Sequence, residues 1–129
     1  MVFGVHFAGL FKLRMILMYY GERFNAYTHL IGAMLAVAAL VLMIIKADDS
    51  YRLASAITYG GCLSLLYLGS TLYHSIPQPK IKAVLQKVDH CMIYLLIAGS
   101  YTPFTLIPLK GEWGWSLFGV SWGLAFLGI

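Results

Sequence analysis

The sequence predicts an all-α integral membrane protein, a transmembrane helix bundle with about four spans in this chain. Three observations predict it. Hydrophobic residues make up 60% of the 129 and charged residues only 11%, with a mean hydropathy of +0.80. A globule this small buries too little of its chain to hide that much apolar surface from water. The apolar residues fall into four runs, three of them close to the ~17–25 residues a spanning helix needs. The charges sit in the short joints between those runs.

The elements follow in order. The segment 1–20, MVFGVHFAGLFKLRMILMYY, is broken by Lys12 and Arg14 into pieces too short to span. It lacks a basic stretch ahead of its apolar part and a small-residue cleavage site, which argues against a cleaved signal. It reads equally as a cytoplasmic or interfacial helix or as an extension before a true start at Met15 or Met18. Residues 21–129 form the membrane domain, with helices at about 27–45, 53–75, 89–109 and 114–129. Lys46, Asp48, Asp49 and Arg52 make the first joint. Pro77 and Pro79 stop the second helix just past His74. Residues 76–88, with Lys80, Lys82 and Lys87, form the second joint. Pro103 is expected to kink the third helix, with Ser100, Thr102 and Thr105 near the freed backbone groups. Gly32-x-x-x-Ala36, Gly60-x-x-x-Ser64 and Gly119-x-x-x-Gly123 are small-residue faces that allow close helix approach. Cys62 and Cys91 lie within apolar runs, without metal-site or disulfide spacing, and read as small buried hydrophobes.

Basic residues set the orientation. Lys12, Arg14, Arg23, Lys80, Lys82 and Lys87 fall on one side and Lys46, Arg52 and Lys110 on the other. That asymmetry places the N-terminus in the cytoplasm of a cell whose inner (plasma) membrane the chain crosses. The basic residues are separated groups between apolar runs, so no nucleic-acid surface is expected. The partner these residues call for is the lipid bilayer.

Depth then sorts the polar residues. Glu22, Asn25 and His29 share one stripe of the first helix by their spacing. Ser70 and His74, four residues apart, share a face at the end of the second. Asp89 and His90 open the third. All reach the same membrane surface, and the opposite ends carry no histidine. Such groups are expensive at the edge of lipid unless they pair or bind something.

Each has an ordinary alternative. Glu22 can be a solvated helix start favoured by the dipole, and Asn25 and His29 can be interhelical hydrogen-bond glue. Ser70 can bond back to the Leu66 carbonyl, and His74 can reach for the interface. Asp89 can be a charge at a helix N-terminus. His90, about 100° round from Asp89, reads as a structural partner. Tyr73, Tyr94 and Tyr101 suit packing or the interface. These alternatives do not explain why every reactive type shares one depth. The chemistry that suits the cluster is metal-assisted hydrolysis, with an imidazole ligand, a carboxylate beside the water and a hydroxyl facing the developing oxyanion.

GERFNAYTH, then STLYH, then DHCMIYLLIAGSYTPF resemble the hemolysin III family of bacterial membrane proteins over about residues 20–129. That family groups with the progestin and adiponectin receptors and, more distantly, the alkaline ceramidases, in a superfamily of seven-helix membrane proteins. The resemblance implies zinc, with Ser70 and His74 matching a S-x-x-x-H motif on the second helix. Asp89 matches an aspartate that holds a zinc-bound water. It also implies a cytoplasmic N-terminus and a H-x-x-x-H pair on the seventh helix. No H-x-x-x-H occurs here, so two expected ligands are missing. The chain is expected to be the N-terminal part of such a protein, from a truncated or disrupted frame or a fragment, and inactive alone. Three functions follow: a zinc-dependent lipid-amide hydrolase in the intact protein, a pore-forming cytolysin, or a receptor-like or structural membrane protein.

Overall fold

The computed structural model describes residues 21–129. The readings of residues 1–20, including the start at Met15 or Met18, lie outside the described residues. Four helices run in order, α1 (Arg23–Lys46), α2 (Ser50–Ser75), α3 (Pro79–Leu106) and α4 (Glu112–Gly128), with no strand among the described residues.

The ends of the helices have local causes. At the start of α2, the Asp49 carboxylate accepts from the backbone N–H of Tyr51 at 2.8 Å and of Arg52 at 2.9 Å. Two of the orphan donors of a helix N-terminus are thereby satisfied. Burial of this carboxyl is slight; the Arg52 hydrogen bond, followed by that of Tyr51, holds it below the usual carboxylate range. The α2 helix stops at Ser75, where Ile76 turns extended (φ −95°, ψ 118°) ahead of Pro77, as the residue before a proline must. The α3 helix then starts on Pro79 itself, whose fixed φ and missing N–H suit a first helical position. Gly111, at φ +127°, turns the chain into α4, a conformation that disfavours any side chain.

The α3 start corrects an expectation. Residues 79–88 are helix, not a joint. The apolar run marks where side chains change character, whereas the helix begins with a proline and charged residues well before that point. Asp89 therefore lies in the third turn of α3, not the first. Pro103 lies inside α3 near its end. Thr102 and Thr105 donate to the Ala98 and Thr102 carbonyls and Ser100 to that of Ile97, so none of the three covers the Gly99 carbonyl that Pro103 leaves without its N–H.

Each helix packs along its length only against its neighbours in the chain, α1 on α2, α2 on α3 and α3 on α4. The described residues are an open row, not a closed bundle. Small residues set the spacing of its seams. A Cβ on Gly32 would lie 2.7 Å from the Tyr67 ring, and one on Gly60 2.7 Å from Leu40 Cδ1. On the next seam a Cβ on Gly99 would lie 3.0 Å from Cys62 Sγ, and both cysteines are free thiols. Gly119 and Gly123 face nothing within 4 Å, so the third small-residue pattern joins no helix among the described residues.

Burial runs opposite to that of a water-soluble protein. The buried residues include Ala26, Ala33, Ala36, Ala98, Ser64 and Thr102, while Phe24, Leu35, Ile45, Trp113 and Leu127 are exposed. Water would reverse this assignment; small residues between helices and bulky apolar ones outside suit lipid. By length and composition α1 and α2 are apolar enough to cross a membrane, with mean hydropathies of 2.4 and 1.3. The third and fourth expected spans do not meet that measure. Tyrosines, hydroxyls and Pro103 dilute α3, and α4 has only 17 residues.

Candidate functional site

The antiparallel register of α1 and α2 brings Tyr67 against Gly32 and, one turn further, Ser70 against His29. Ser70 is buried at 3% exposure, and its Oγ lies 2.7 Å from His29 Nδ1. Its hydroxyl is thus spent across the seam, not on the Leu66 carbonyl. One turn beyond, His74 Nδ1 lies 2.9 Å from Glu22 Oε2. The two imidazoles meet edge to face, with centroids 5.4 Å apart. The His74 ring also tilts against Tyr73 at 4.7 Å.

The α3 helix adds a cation through its early turns. Lys82 Nζ donates to the same Glu22 Oε2 at 2.6 Å and to the Tyr73 carbonyl at 3.2 Å. It also sits 4.4 Å over the Tyr73 ring centroid, within cation–π reach. The side chains of His74, Lys82 and Glu22 are 15%, 20% and 24% exposed, so water screens this trio only partly. Burial pushes the Glu22 carboxyl up, but the Lys82 and His74 hydrogen bonds and charges outweigh it and hold it below the usual carboxylate range. Glu22 is therefore ionised at neutral pH. An ionised carboxylate only accepts, so His74 donates to it through Nδ1–H, and in the neutral ring the lone pair is then on Nε2.

The other sequence-selected residues fall differently. Asn25 is exposed, and what it contributes is its backbone carbonyl, which accepts from Thr28. His90 is exposed and bonds the Gln86 carbonyl of its own helix at 2.7 Å, so it stands apart from the cluster. Asp89 is half-buried and has no hydrogen bond or ion pair among the described residues. Met92 lies opposite Gly69, which brings Asp89, one turn back on α3, level with the turn of α2 that ends in His74. Lys82 is the member that sequence reasoning missed. Its signal was available in its type and side of the membrane, but a lysine in an apparent joint carried no sign of its partner.

Among the described residues no group of three or more His, Cys, Asp or Glu side chains is placed to hold a metal ion. His74 Nε2 makes no hydrogen bond among the described residues, and Asp89 is a carboxylate level with that turn of α2 along α3. The arrangement sets an imidazole and a buried hydroxyl on α2, with a carboxylate level with them on α3.

The profile of the Haemolysin-III related family matches residues 18–129. Hemolysin-3 of Bacillus cereus is 50% identical over 109 residues, covering 81% of this chain and 49% of that protein. The Hemolysin-3 homolog of Bacillus subtilis (strain 168) is 48% identical over 108 residues, covering 81% and 51%. The human Monocyte to macrophage differentiation factor is 30% identical over 110 residues, covering 77% and 45%. No solved structure matches the chain. The chain spans about half the length of the curated relatives it matches. With a family match over all four described helices and half its aligned residues shared with Hemolysin-3 of Bacillus cereus, the chain belongs to the Haemolysin-III related family.

Proposed function

We propose that the intact protein is a multi-pass membrane hydrolase of lipid amides such as ceramide. It uses zinc, sits in the plasma membrane and keeps the Glu22–His74 end in the cytoplasm. The observation that carries this reading is the placement of His74. Its Nδ1 is committed to Glu22, which leaves Nε2 open beside a buried serine and level with an unpaired carboxylate. Zinc, when bound, lowers the pKa of a water toward about 7 and polarises a carbonyl.

His74 would be one ligand. Asp89 would orient the attacking water and take its proton. Ser70 would face the oxyanion that develops on the amide carbonyl, with His29 holding its hydroxyl in place. A catalytic zinc takes three protein ligands, and this chain has no H-x-x-x-H to supply the other two. Activity is accordingly a property of more than this chain, and this chain alone is expected to be inactive.

A second reading has its own observation: both cluster bonds, His29 to Ser70 and His74 to Glu22, join α1 to α2, as a receptor-like or structural helix lock would. Metal content separates the two. The full-length protein purified in detergent should carry zinc and release fatty acid from a ceramide, and His74→Ala should lose both. Unchanged zinc stoichiometry in His74→Ala would sink the hydrolase reading. The relatives' name raises lysis as a third function, and dye retention by proteoliposomes carrying the protein would dismiss it.

A further inference from the structure

A trough lies at the end of the row opposite the His74 cluster. Helices α1 and α3 both pack on α2 and not along each other. Between them α2 presents Ser55 and Ala56, side chains too small to fill the gap. The result is an open cavity of about 370 Å³, within the range of about 300–1,000 Å³ usual for ligand pockets. Met43, Tyr59, Pro103 and Ile107 give it apolar walls, and Lys46, the exposed last residue of α1, borders it.

Two polar groups of this trough have no protein partner among the described residues. Ser64, Thr71 and Ser75 of the same helix each donate to the carbonyl four residues back, a common resort of hydroxyls in membrane helices. Ser55 does not. It is 3% exposed, and its buried Oγ makes no hydrogen bond, which is costly for a hydroxyl out of water. Lys46 makes no hydrogen bond or ion pair, while the other cations at this end are engaged. Arg52 pairs with Asp48 at 2.7 Å and Asp49 at 3.5 Å, and Lys110 lies over the Tyr51 ring. A lysine at a helix C-terminus suits the dipole, which accounts for Lys46 but not for Ser55 below it.

We propose that the trough binds one phospholipid from the leaflet opposite the His74 cluster. Its phosphate meets the Lys46 ammonium, an ester carbonyl accepts from the Ser55 hydroxyl, and an acyl chain follows the apolar walls. The depths agree. Ser55 is five residues into α2 from Ser50, about 7.5 Å below the level of the joint. The headgroup layer is about 5–7 Å thick on each side of the hydrocarbon. Phosphate, ester and chain thus succeed one another in the lipid as cation, hydroxyl and apolar wall do in the protein. Ser55 stands about 22 Å along α2 from Ser70, so the lipid is a bound component and not a substrate, and the site is independent of the hydrolase reading.

The test uses the full-length protein in detergent, with phosphatidylglycerol as probe and bound lipid counted by native mass spectrometry. Wild type should hold one lipid. Lys46→Gln should weaken its binding about five-fold, the share of one lysine at a phospholipid surface. Ser55→Ala should weaken it about two- to ten-fold, the share of one hydrogen bond. Lys80→Gln, an equal loss of charge at the other surface, should leave it unchanged. In the wild type, phosphatidylglycerol with a diazirine in its acyl chain should crosslink to residues 42–59 or to the end of α3, which locates the lipid without any variant. Equal binding by wild type, Lys46→Gln and Ser55→Ala overturns the proposal. So does crosslinking confined to other residues, which would mean that protein covers the trough in the intact molecule. Competition by glycerol 3-phosphate as strong as by the whole lipid would make this a free-phosphate site and overturn the phospholipid assignment.

Discussion

Asp49 shows how much one exposed side chain can organise. Its carboxylate closes the start of α2 on two backbone donors, while Asp48 and Arg52 pair alongside at 2.7 Å. Because the folded carboxyl titrates below its ordinary value, its contribution is complete above the unfolded pKa of about 3.9 and is lost as pH falls through the lower folded value. Asp49→Ser keeps a capping oxygen that does not titrate. Thermal unfolding in detergent should therefore match wild type at pH 7 and lose less stability in acid. Asp49→Ala should be less stable at both. Equal acid sensitivity in wild type and Asp49→Ser would mean that other groups govern the acid limb.

At the scale of helices, the seams are more sensitive than the bulky residues around them. Gly60→Leu must displace Leu40, whose Cδ1 already lies 2.7 Å from where a Cβ would stand, and overpacking of this kind costs about 1–3 kcal/mol. Gly119→Ala meets nothing within 4 Å and should gain up to about 1 kcal/mol of helix propensity. Unfolding of this chain by SDS in mixed micelles checks the sign of both.

The same contrast marks what could be read from sequence. Gly60-x-x-x-Ser64 and Gly119-x-x-x-Gly123 look alike as patterns, and only packing tells the occupied face from the open one. Spacing put Glu22, Asn25 and His29 on one stripe, but the stripe's edge faces outward at Asn25. The stop of α2 before Pro77 was legible because a proline acts on its immediate neighbour. The pairing of Glu22 with His74 and Lys82 was not, because it joins residues 52 and 60 positions apart. Hydropathy also hid the first three turns of α3, since it reports the environment of side chains and not the hydrogen bonding of the backbone.

For the molecule as a whole, the four helices alternate in direction, so their joints sort onto two sides. Asp48 and Lys110 belong to one side, where Lys110 lies 4.0 Å over the Tyr51 ring, and Lys80 and Lys87 to the other. In a variant without Cys62 and Cys91, a membrane-impermeant maleimide should label Asp48→Cys and Lys110→Cys in intact cells. Lys87→Cys should label only after permeabilisation. The reverse pattern would invert the proposed orientation and move the His74 cluster outside the cell.

The triple meeting at Glu22 also imposes an order of events on synthesis. The carboxylate leaves the ribosome first and waits, solvated at the membrane surface, while α1 is already in place. His74 arrives with the last turn of α2 and closes the first hairpin. Lys82 follows a few residues later and attaches the newly started third helix to the first, across a helix it does not replace. Each partner is delivered to the same oxygen in turn, so the joint records, in one side chain, that two successive insertions have ended in the right register.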